Sequence, residues 1–273
     1  MIERKIPSTN EAIPVIGLGT WQSFDVSSSS SDLNPLKQVL STMQDAGGNL
    51  IDSSPMYGRS EETVGQLTED AKPNQFFYAT KVWTQGKEEG IRQMENSFRK
   101  FRRSVIDLMQ IHNLVDWKIH LQTLRKWKEE GKIRYIGITH YTDNMHEELS
   151  KIIRSEKIDF VQFNYSITNR HADKHLLAAA SDHGVATLIN RPFGEGRLFN
   201  KVNGKNLPEW AKEHGIETWS QFFLKFIISH AAVTCVIPAT ANPSHASDNF
   251  KAGSEPLPDE SLRKKMADYV DRI

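Results

Sequence analysis

A short run that is apolar on both of its faces occurs at Tyr135-Ile136-Gly137-Ile138-Thr139, and a second occurs at Ala186-Thr187-Leu188-Ile189-Asn190. Alternate residues of a strand point to opposite sides, so a run of this kind must be covered on both sides. The pattern is typical of parallel strands in α/β proteins, where the connecting helices cover both faces of the sheet. These two runs therefore predict a parallel sheet surrounded by helices.

Similar runs recur along nearly the whole chain. They alternate with longer segments whose apolar residues have helical spacing, as Leu121, Leu124 and Trp127 do. Eight strands separated by helices is the pattern of an α/β protein with a (β/α)8 TIM barrel, which typically takes about 250 residues. The strands are expected at residues 15–18, 49–52, 76–82, 106–112, 135–139, 159–163, 186–190 and 234–238.

Residues 1–273 are expected to form one barrel domain with an N-terminal β-hairpin at residues 5–13. A doubly wound sheet is the alternative fold. Gly17-Leu18-Gly19 is followed by Thr20-Trp21-Gln22, however, so the third glycine of the dinucleotide-binding fingerprint is missing. The barrel is therefore the preferred interpretation.

The composition excludes several classes of protein. Hydrophobic residues make up 38% of the chain and charged residues 25%, with a mean hydropathy of -0.51, as in globular proteins. The 34 basic and 34 acidic residues cancel, so no overall field attracts nucleic acid or an acidic membrane. No apolar run reaches the roughly 18 residues of a membrane span, and the charged start does not resemble a signal peptide.

Cys235 is the single cysteine, which excludes an internal disulfide and a cysteine-rich metal site. His171 and His175 have the i, i+4 spacing of metal ligands, but no third ligand is evident, so no metal site is expected. Together with the composition, these features predict a cytoplasmic protein.

Polar side chains occur at or near the ends of three consecutive strands. Asp52 ends the second strand, Lys81 lies near the end of the third, and His112 ends the fourth. Neighbouring strands lie about 4.8 Å apart, and the reactive groups of a barrel are found at the carboxyl ends of its strands. The three side chains are therefore expected to face one cavity, with Tyr57 folding over it from the loop after Asp52.

This set of residues suits proton donation. A tyrosine phenol has a reference pKa near 10, and an ammonium within about 4 Å interacts with its anion by roughly 4 kcal/mol, up to about three pKa units. Asp52 would keep Lys81 charged, and His112 could donate a hydrogen bond to a substrate oxygen that becomes anionic. Each residue alone has a structural alternative: a loop cap for Asp52, a buried ion pair for Lys81 and a core histidine for His112.

The chain resembles the aldo-keto reductase superfamily over almost its whole length. The resemblance is carried, in order, by Ile16-Gly17-Leu18-Gly19-Thr20-Trp21, Ile51-Asp52-Ser53-Ser54-Pro55-Met56-Tyr57-Gly58, Thr80-Lys81-Val82-Trp83, Asp107-Leu108-Met109-Gln110-Ile111-His112 and Gly137-Ile138-Thr139. It implies an NAD(P)H-dependent oxidoreductase that reduces an aldehyde or ketone to an alcohol.

By this resemblance, hydride comes from the nicotinamide and the proton comes from Tyr57, with Asp52 and Lys81 lowering the pKa of the phenol and His112 orienting the substrate. A small-molecule carbonyl compound is the implied substrate. The implied substrate-pocket residues are Trp21, Trp83 and Asn113; simple packing at the barrel rim is the alternative for the two tryptophans.

The resemblance also implies a set of cofactor-binding residues. They are Thr20, Trp21, Asp52, Thr139, His140, Gln162, Asn190, Arg191, Phe193, Gly194, Gly196, Thr240, His245 and Asn249.

Three departures from the family pattern bear on the cofactor. Thr139-His140 stands where the family often has Ser-Asn to hold the nicotinamide amide, and both side chains can still form hydrogen bonds. Asn190 stands where an aromatic side chain commonly stacks on the nicotinamide, and Ala239 and His245 stand where NADP-preferring members commonly have basic residues. Asn242-Pro243 predicts a helix start that would attract phosphate. NADPH is the expected cofactor, with NADH as a competitor.

Two other functions stay open at this stage. One is a cofactor-binding regulatory or sensing module with little turnover, and the other is a barrel that has lost useful affinity for the cofactor. The intact set of Asp52, Tyr57, Lys81 and His112 favours the enzyme. A monomer without nucleic-acid or membrane partners is expected.

Overall fold

The computed structural model describes residues 1–273, apart from the side chain of residue 30. The strands are β1 (Glu3–Lys5), β2 (Ala12–Pro14), β3 (Leu18–Gly19), β4 (Leu50–Asp52), β5 (Phe77–Val82), β6 (Ile106–His112), β7 (Ile133–Thr139), β8 (Phe160–Asn164), β9 (Ala186–Asn190) and β10 (Cys235–Val236). The α-helices are α1 (Ser30–Asp45), α2 (Ser60–Leu67), α3 (Lys87–Phe101), α4 (Trp117–Glu129), α5 (His146–Ser155), α6 (Leu176–Asp182), α7 (Arg197–Lys201), α8 (Glu209–Glu213), α9 (Trp219–Ile228), α10 (Pro243–Lys251) and α11 (Glu260–Arg272).

Strands β3 to β10 form one parallel sheet in which each strand pairs with its neighbours in the sequence. Two parallel bridges, Ile16 with Val236 and Gly19 with Ala239, join the first strand to the last. The predicted (β/α)8 barrel is therefore confirmed. Its first strand is shorter than predicted. Residues 15–17 bond to the last strand, where Val236 N donates to Val15 O and Gly17 N donates to Val236 O, both at 2.9 Å, and Val15 N donates to Ile2 O at 3.0 Å.

The barrel interior changes from apolar to polar along several of the strands. The inward-pointing pairs are Leu50 and Asp52 on β4, Leu108 and Gln110 on β6, and Leu188 and Asn190 on β9, and in each pair the apolar residue comes first. Inward positions recur every second residue, so the period of the strand itself separates an apolar lower layer from a polar upper layer. The buried apolar layer comprises Leu50, Phe77, Ala79, Leu108, Tyr135, Phe160, Ala186, Leu188, Cys235 and Ile237.

The predicted N-terminal hairpin, formed by β1 and β2, closes the lower end of the barrel. Ile6 and Ile13 belong to the same buried cluster as the apolar layer and are 0% and 1% exposed. Burying each of them contributes about 1.5–3 kcal/mol to folding. Arg4 ties the hairpin to the end of α9, because its guanidinium donates to His230 O at 2.9 Å and also to Ile228 O and Val233 O.

The helices cover the outside of the barrel. The predicted helix start at Asn242-Pro243 is confirmed, since Asn242 Oδ1 accepts a hydrogen bond from Ser244 N at 2.8 Å. The sequence does not predict α7 and α8, because five residues are too few to show a helical period. Within the described part of the chain, no helix is long and apolar enough to cross a membrane.

Candidate active site

The upper, polar layer of the barrel contains a buried ion pair. Lys81 Nζ donates to Asp52 Oδ2 at 2.6 Å and to Ser53 O at 2.7 Å. Asp52 Oδ1 accepts from Gln110 Nε2 at 3.0 Å and from Gln162 Nε2 at 2.9 Å. Burial alone would lower the pKa of Lys81, but the Asp52 carboxylate and the nearby phenol raise it above the ordinary value. The ammonium therefore stays charged at neutral pH.

Tyr57 lies above this ion pair on the loop between β4 and α2. Its backbone N donates to Ser54 O at 3.0 Å, and Lys81 Nζ lies 5.0 Å from the centroid of its ring. Burial raises the pKa of the Tyr57 phenol above its ordinary value, while the positive charge of Lys81 opposes the shift. Lys81 thus acts in the predicted direction, but burial outweighs it and the phenol stays protonated at neutral pH.

The turn after Tyr57 requires glycine. Gly58 has φ +59°, and a Cβ built on it would lie 2.3 Å from the carboxylate of Asp25. Asp25 Oδ1 accepts from Arg59 N at 2.9 Å, which holds the carboxylate in this position. A side chain at position 58 would therefore strain the turn that determines the position of Tyr57.

His112 faces Tyr57 across the cavity. The two rings are 6.1 Å apart, edge to face at 85°, and His112 Nδ1 lies 3.1 Å from Ser54 Oγ. Burial lowers the pKa of His112 to about 2, and the positive charge of Lys81 and the proximity of His140 act in the same direction. The imidazole is therefore neutral at any physiological pH and can donate only one N–H.

A cavity of about 660 Å³ opens at the carboxyl ends of the strands and contains Tyr57, His112 and Asp52 in its wall. Lys81 is fully buried beneath it. The three expected substrate-pocket residues, Trp21, Trp83 and Asn113, also line it, and both tryptophans are 40% exposed. The structure therefore brings the expected catalytic residues and the pocket residues to one place.

The expected cofactor residues divide into two groups. Nine line the cavity: Thr20, Trp21, Asp52, Thr139, Gln162, Asn190, Arg191, Phe193 and Gly196. Five do not: His140, Gly194, Thr240, His245 and Asn249. His245 is exposed on α10, whereas Asn249 is buried and accepts a hydrogen bond from Ser220. Contact between these residues and a cofactor stays a prediction.

The sequence motifs do not identify Tyr141, which also lines the cavity. The guanidinium of Arg191 lies 4.2 Å from the centroid of the Tyr141 ring, and the His140 ring is nearly parallel to it, with centroids 5.5 Å apart. Arg191 has φ +52° and pairs with Glu195 at 2.9 Å. The only available signal is an aromatic residue just after a strand end, which by itself is too common to mark a site.

Two carboxamide oxygens at this cavity lack a donor. Asn113 Oδ1 and Asn190 Oδ1 are buried and have no hydrogen-bond partner among the residues that the structure describes. Buried polar atoms are nearly always paired in folded proteins. Asn113 and Asn190 are therefore residues of the cavity wall whose acceptor atoms the described residues leave without a donor.

Comparisons with known proteins agree with this geometry. The model of the Aldo/keto reductase family matches residues 15–265. A 9,11-endoperoxide prostaglandin H2 reductase of Trypanosoma cruzi (strain CL Brener) is 28% identical over 262 residues, which cover 92% of this chain and 86% of that protein. An NADH-specific methylglyoxal reductase of Escherichia coli (strain K12) is 27% identical, with 98% and 100% covered.

Among solved structures, the fold resembles an aldo-keto reductase from Klebsiella pneumoniae in complex with NADPH. The TM-score is 0.82 and the identity 26%, and the match covers 100% of this chain and 95% of that one.

Proposed function

Since the chain belongs to the aldo/keto reductase family and is an NAD(P)H-dependent reductase of aldehydes or ketones, we propose that Tyr57 is the proton donor of that reduction. The observation that carries this proposal is the position of Tyr57 over a buried, charged lysine: Lys81 Nζ lies 5.0 Å from the ring centroid. A protonated phenol is ready to donate, and the ammonium stabilises the phenolate that remains.

The proton moves from Tyr57 Oη to the substrate oxygen as that oxygen gains negative charge. The ammonium of Lys81 stabilises the negative charge that forms on the phenolate, and Asp52 holds the ammonium in place through the 2.6 Å contact. His112 is neutral and donates its single N–H to the same substrate oxygen, which fixes the direction of the carbonyl. Trp21 and Trp83 cover the apolar part of the substrate and exclude water.

A reduced nicotinamide cofactor, when bound, supplies the hydride for the carbonyl carbon. The donor set of the cavity fits such a group, because the unpaired Asn190 Oδ1 can accept an N–H of a carboxamide. Thr139 and Gln162 lie on the adjacent strands. The loop with Arg191, Gly194 and Gly196 would hold the pyrophosphate, since both glycines have positive φ and carry no side chain that would keep a phosphate away from the backbone.

NADPH is the proposed cofactor and NADH the alternative. The Klebsiella pneumoniae structure contains NADPH, while the Escherichia coli relative is named NADH-specific. Thr240, His245 and the N-terminus of α10 are the groups offered to a 2′-phosphate, and Ala239 offers none. Parallel fluorescence titrations with NADPH and NADH decide between them: tighter binding of NADPH supports this assignment, and tighter binding of NADH reverses it.

Replacing Tyr57 by phenylalanine tests the proton donor. Methylglyoxal is a suitable substrate for the assay because the Escherichia coli relative is named a methylglyoxal reductase. We expect Tyr57→Phe to abolish steady-state reduction while the Kd for the nucleotide changes little, since the hydroxyl is removed and the ring is kept. Unchanged turnover in Tyr57→Phe would remove Tyr57 from the mechanism. A wild-type protein that binds the nucleotide but reduces no carbonyl compound would favour the sensing module instead.

We also propose that the protein acts in the cytoplasm as a monomer and binds neither nucleic acid nor membranes. The balanced charge of 34 basic and 34 acidic residues supports the absence of nucleic-acid binding, and the single cysteine is buried and free. Size-exclusion chromatography with light scattering tests the monomer, for which a mass near 31.1 kDa is expected.

A further inference from the structure

We infer that Ser54 is a positioning residue, which holds the neutral His112 ring in the tautomer whose Nε2–H points to the cavity. Ser54 is completely buried on the loop between β4 and Tyr57. Its Oγ lies 3.1 Å from His112 Nδ1, although the two residues are 58 positions apart in the chain. The inference rests on the proposed function for its catalytic meaning, but the tautomer itself does not depend on turnover.

The hydrogen bond between Ser54 and His112 has one favourable direction. Ser54 Oγ has two partners among the described residues: His112 Nδ1 at 3.1 Å and the backbone N–H of Met56 at 3.5 Å. An amide N–H can only donate, so His112 Nδ1 is the one acceptor available to the hydroxyl hydrogen. If Nδ1 carried the proton, the buried hydroxyl would have no acceptor, which buried polar groups rarely tolerate. Ser54 therefore donates and Nδ1 accepts.

This direction determines which nitrogen of His112 carries the proton. A neutral imidazole has one N–H, and the hydrogen bond made by one nitrogen sets the state of the other. With Nδ1 as acceptor, the proton is on Nε2. Nε2 has no hydrogen-bond partner among the described residues, and His112 lines the cavity. The ring thus presents a donor to a substrate oxygen, as the proposed reduction requires.

Ser54 also links the two groups that meet the substrate oxygen. Its backbone O accepts from Tyr57 N at 3.0 Å, while its side chain donates to the His112 ring. Tyr57 and His112 are therefore both hydrogen-bonded to the same residue. Their 6.1 Å, edge-to-face arrangement is thus supported by the turn at Ser54.

Nitrogen NMR of the histidine side chains tests the inference on the ligand-free protein. The signal of His112 is identified by its loss in His112→Gln. We expect the wild-type ring to show an unprotonated Nδ1 and a protonated Nε2. A protonated Nδ1 in the wild type would overturn the inference without any variant of Ser54.

Ser54→Ala gives the second readout. We expect the NMR signal of His112 to shift toward a mixture of the two tautomers and kcat to fall about tenfold, with an unchanged Kd for the nucleotide. The matched control is Ser53→Ala: Ser53 is equally buried, but its hydroxyl accepts from Thr20 Oγ1 at 2.9 Å and does not touch His112. The control must leave the His112 signal unchanged.

Ser54→Thr keeps a hydroxyl and is expected to restore the wild-type tautomer. An unchanged His112 signal in a folded Ser54→Ala would refute the role of Ser54. These results are separate from the test of Tyr57: if Tyr57→Phe kept its turnover, the proton donor would be wrong, while the tautomer of His112 would still be measured directly.

Discussion

Replacing Lys81 by methionine removes the charge on which the proposed proton transfer depends. The ammonium lies 5.0 Å from the centroid of the Tyr57 ring, and at this distance a unit charge stabilises a phenolate by about 3 kcal/mol with an effective dielectric constant near 20. If all of this stabilisation is present in the transition state, kcat falls about a hundredfold in Lys81→Met. The carboxylate of Asp52 then remains near the phenol without its cation, which adds to the loss.

The same substitution also destabilises the fold, so the two effects must be separated. Lys81 is completely buried and Asp52 is 2% exposed, and removing one member of such a pair costs about 3–5 kcal/mol of stability. The double variant Lys81→Met with Asp52→Asn removes both charges. We expect it to recover part of the unfolding free energy but not the rate, because the phenolate still has no ammonium beside it.

Three measurements on the wild type and both variants check this reasoning: unfolding in urea, steady-state reduction of methylglyoxal, and a fluorescence titration with NADPH. The titration shows whether Asp52→Asn changes nucleotide binding, since Asp52 also lines the cavity. A folded Lys81→Met whose kcat stays within about threefold of the wild type contradicts the electrostatic role. Recovery of kcat in the double variant would contradict it as well, since it would assign the loss to the unpaired carboxylate.

Three further predictions concern pH and packing. Burial lowers the pKa of His112 to about 2, so below pH 6.5 the unfolded chain binds a proton that the folded chain does not. The wild type should then lose up to about 1.4 kcal/mol of stability per pH unit relative to His112→Gln. Urea unfolding of both proteins at pH 7 and pH 5 measures this, and an equal change in unfolding free energy in the two proteins would exclude it. Ile13→Ala should cost about 2–5 kcal/mol of stability, since Ile13 is 1% exposed at the closed end of the barrel; kcat at low temperature should change little, and an equal loss of rate would mean that the hairpin affects the site. Gly58→Ala should lower kcat by a larger factor than it raises the Kd for the nucleotide, because a Cβ at φ +59° would lie 2.3 Å from the Asp25 carboxylate next to Tyr57. Steady-state kinetics and a nucleotide titration on the wild type and the variant measure the two factors. An unaffected kcat would show that the turn can relax.

The strand pattern predicted the barrel because it is a local property of the chain. Residues 135–139 and 186–190 are apolar on both faces, and the period of two places Leu188 and Asn190 on the same inner side. The polar ends of the strands indicated Asp52 and His112 for the same reason. The strand at 15–18 was placed less accurately, because its length depends on which neighbour pairs with it.

The pKa of Tyr57 depends on burial, which the sequence does not predict. The sequence predicts that Lys81 lowers this pKa, and its charge does act in that direction, but the depth of the phenol in the wall reverses the net shift. Burial is set by all the elements packed around a group. It is therefore not readable from the neighbouring residues in the chain.

The sequence by itself determined the barrel, its hairpin and the set of Asp52, Tyr57, Lys81 and His112, because strand period and strand-end position are encoded over a few residues. Only the tertiary structure decided the contacts made across the barrel. These are the bond from Ser54 to His112, the two amides that hold Asp52, and the stack of Arg191 on Tyr141. Each joins residues on different strands or loops, so it depends on sheet register and loop path, which arise only when the sheet closes.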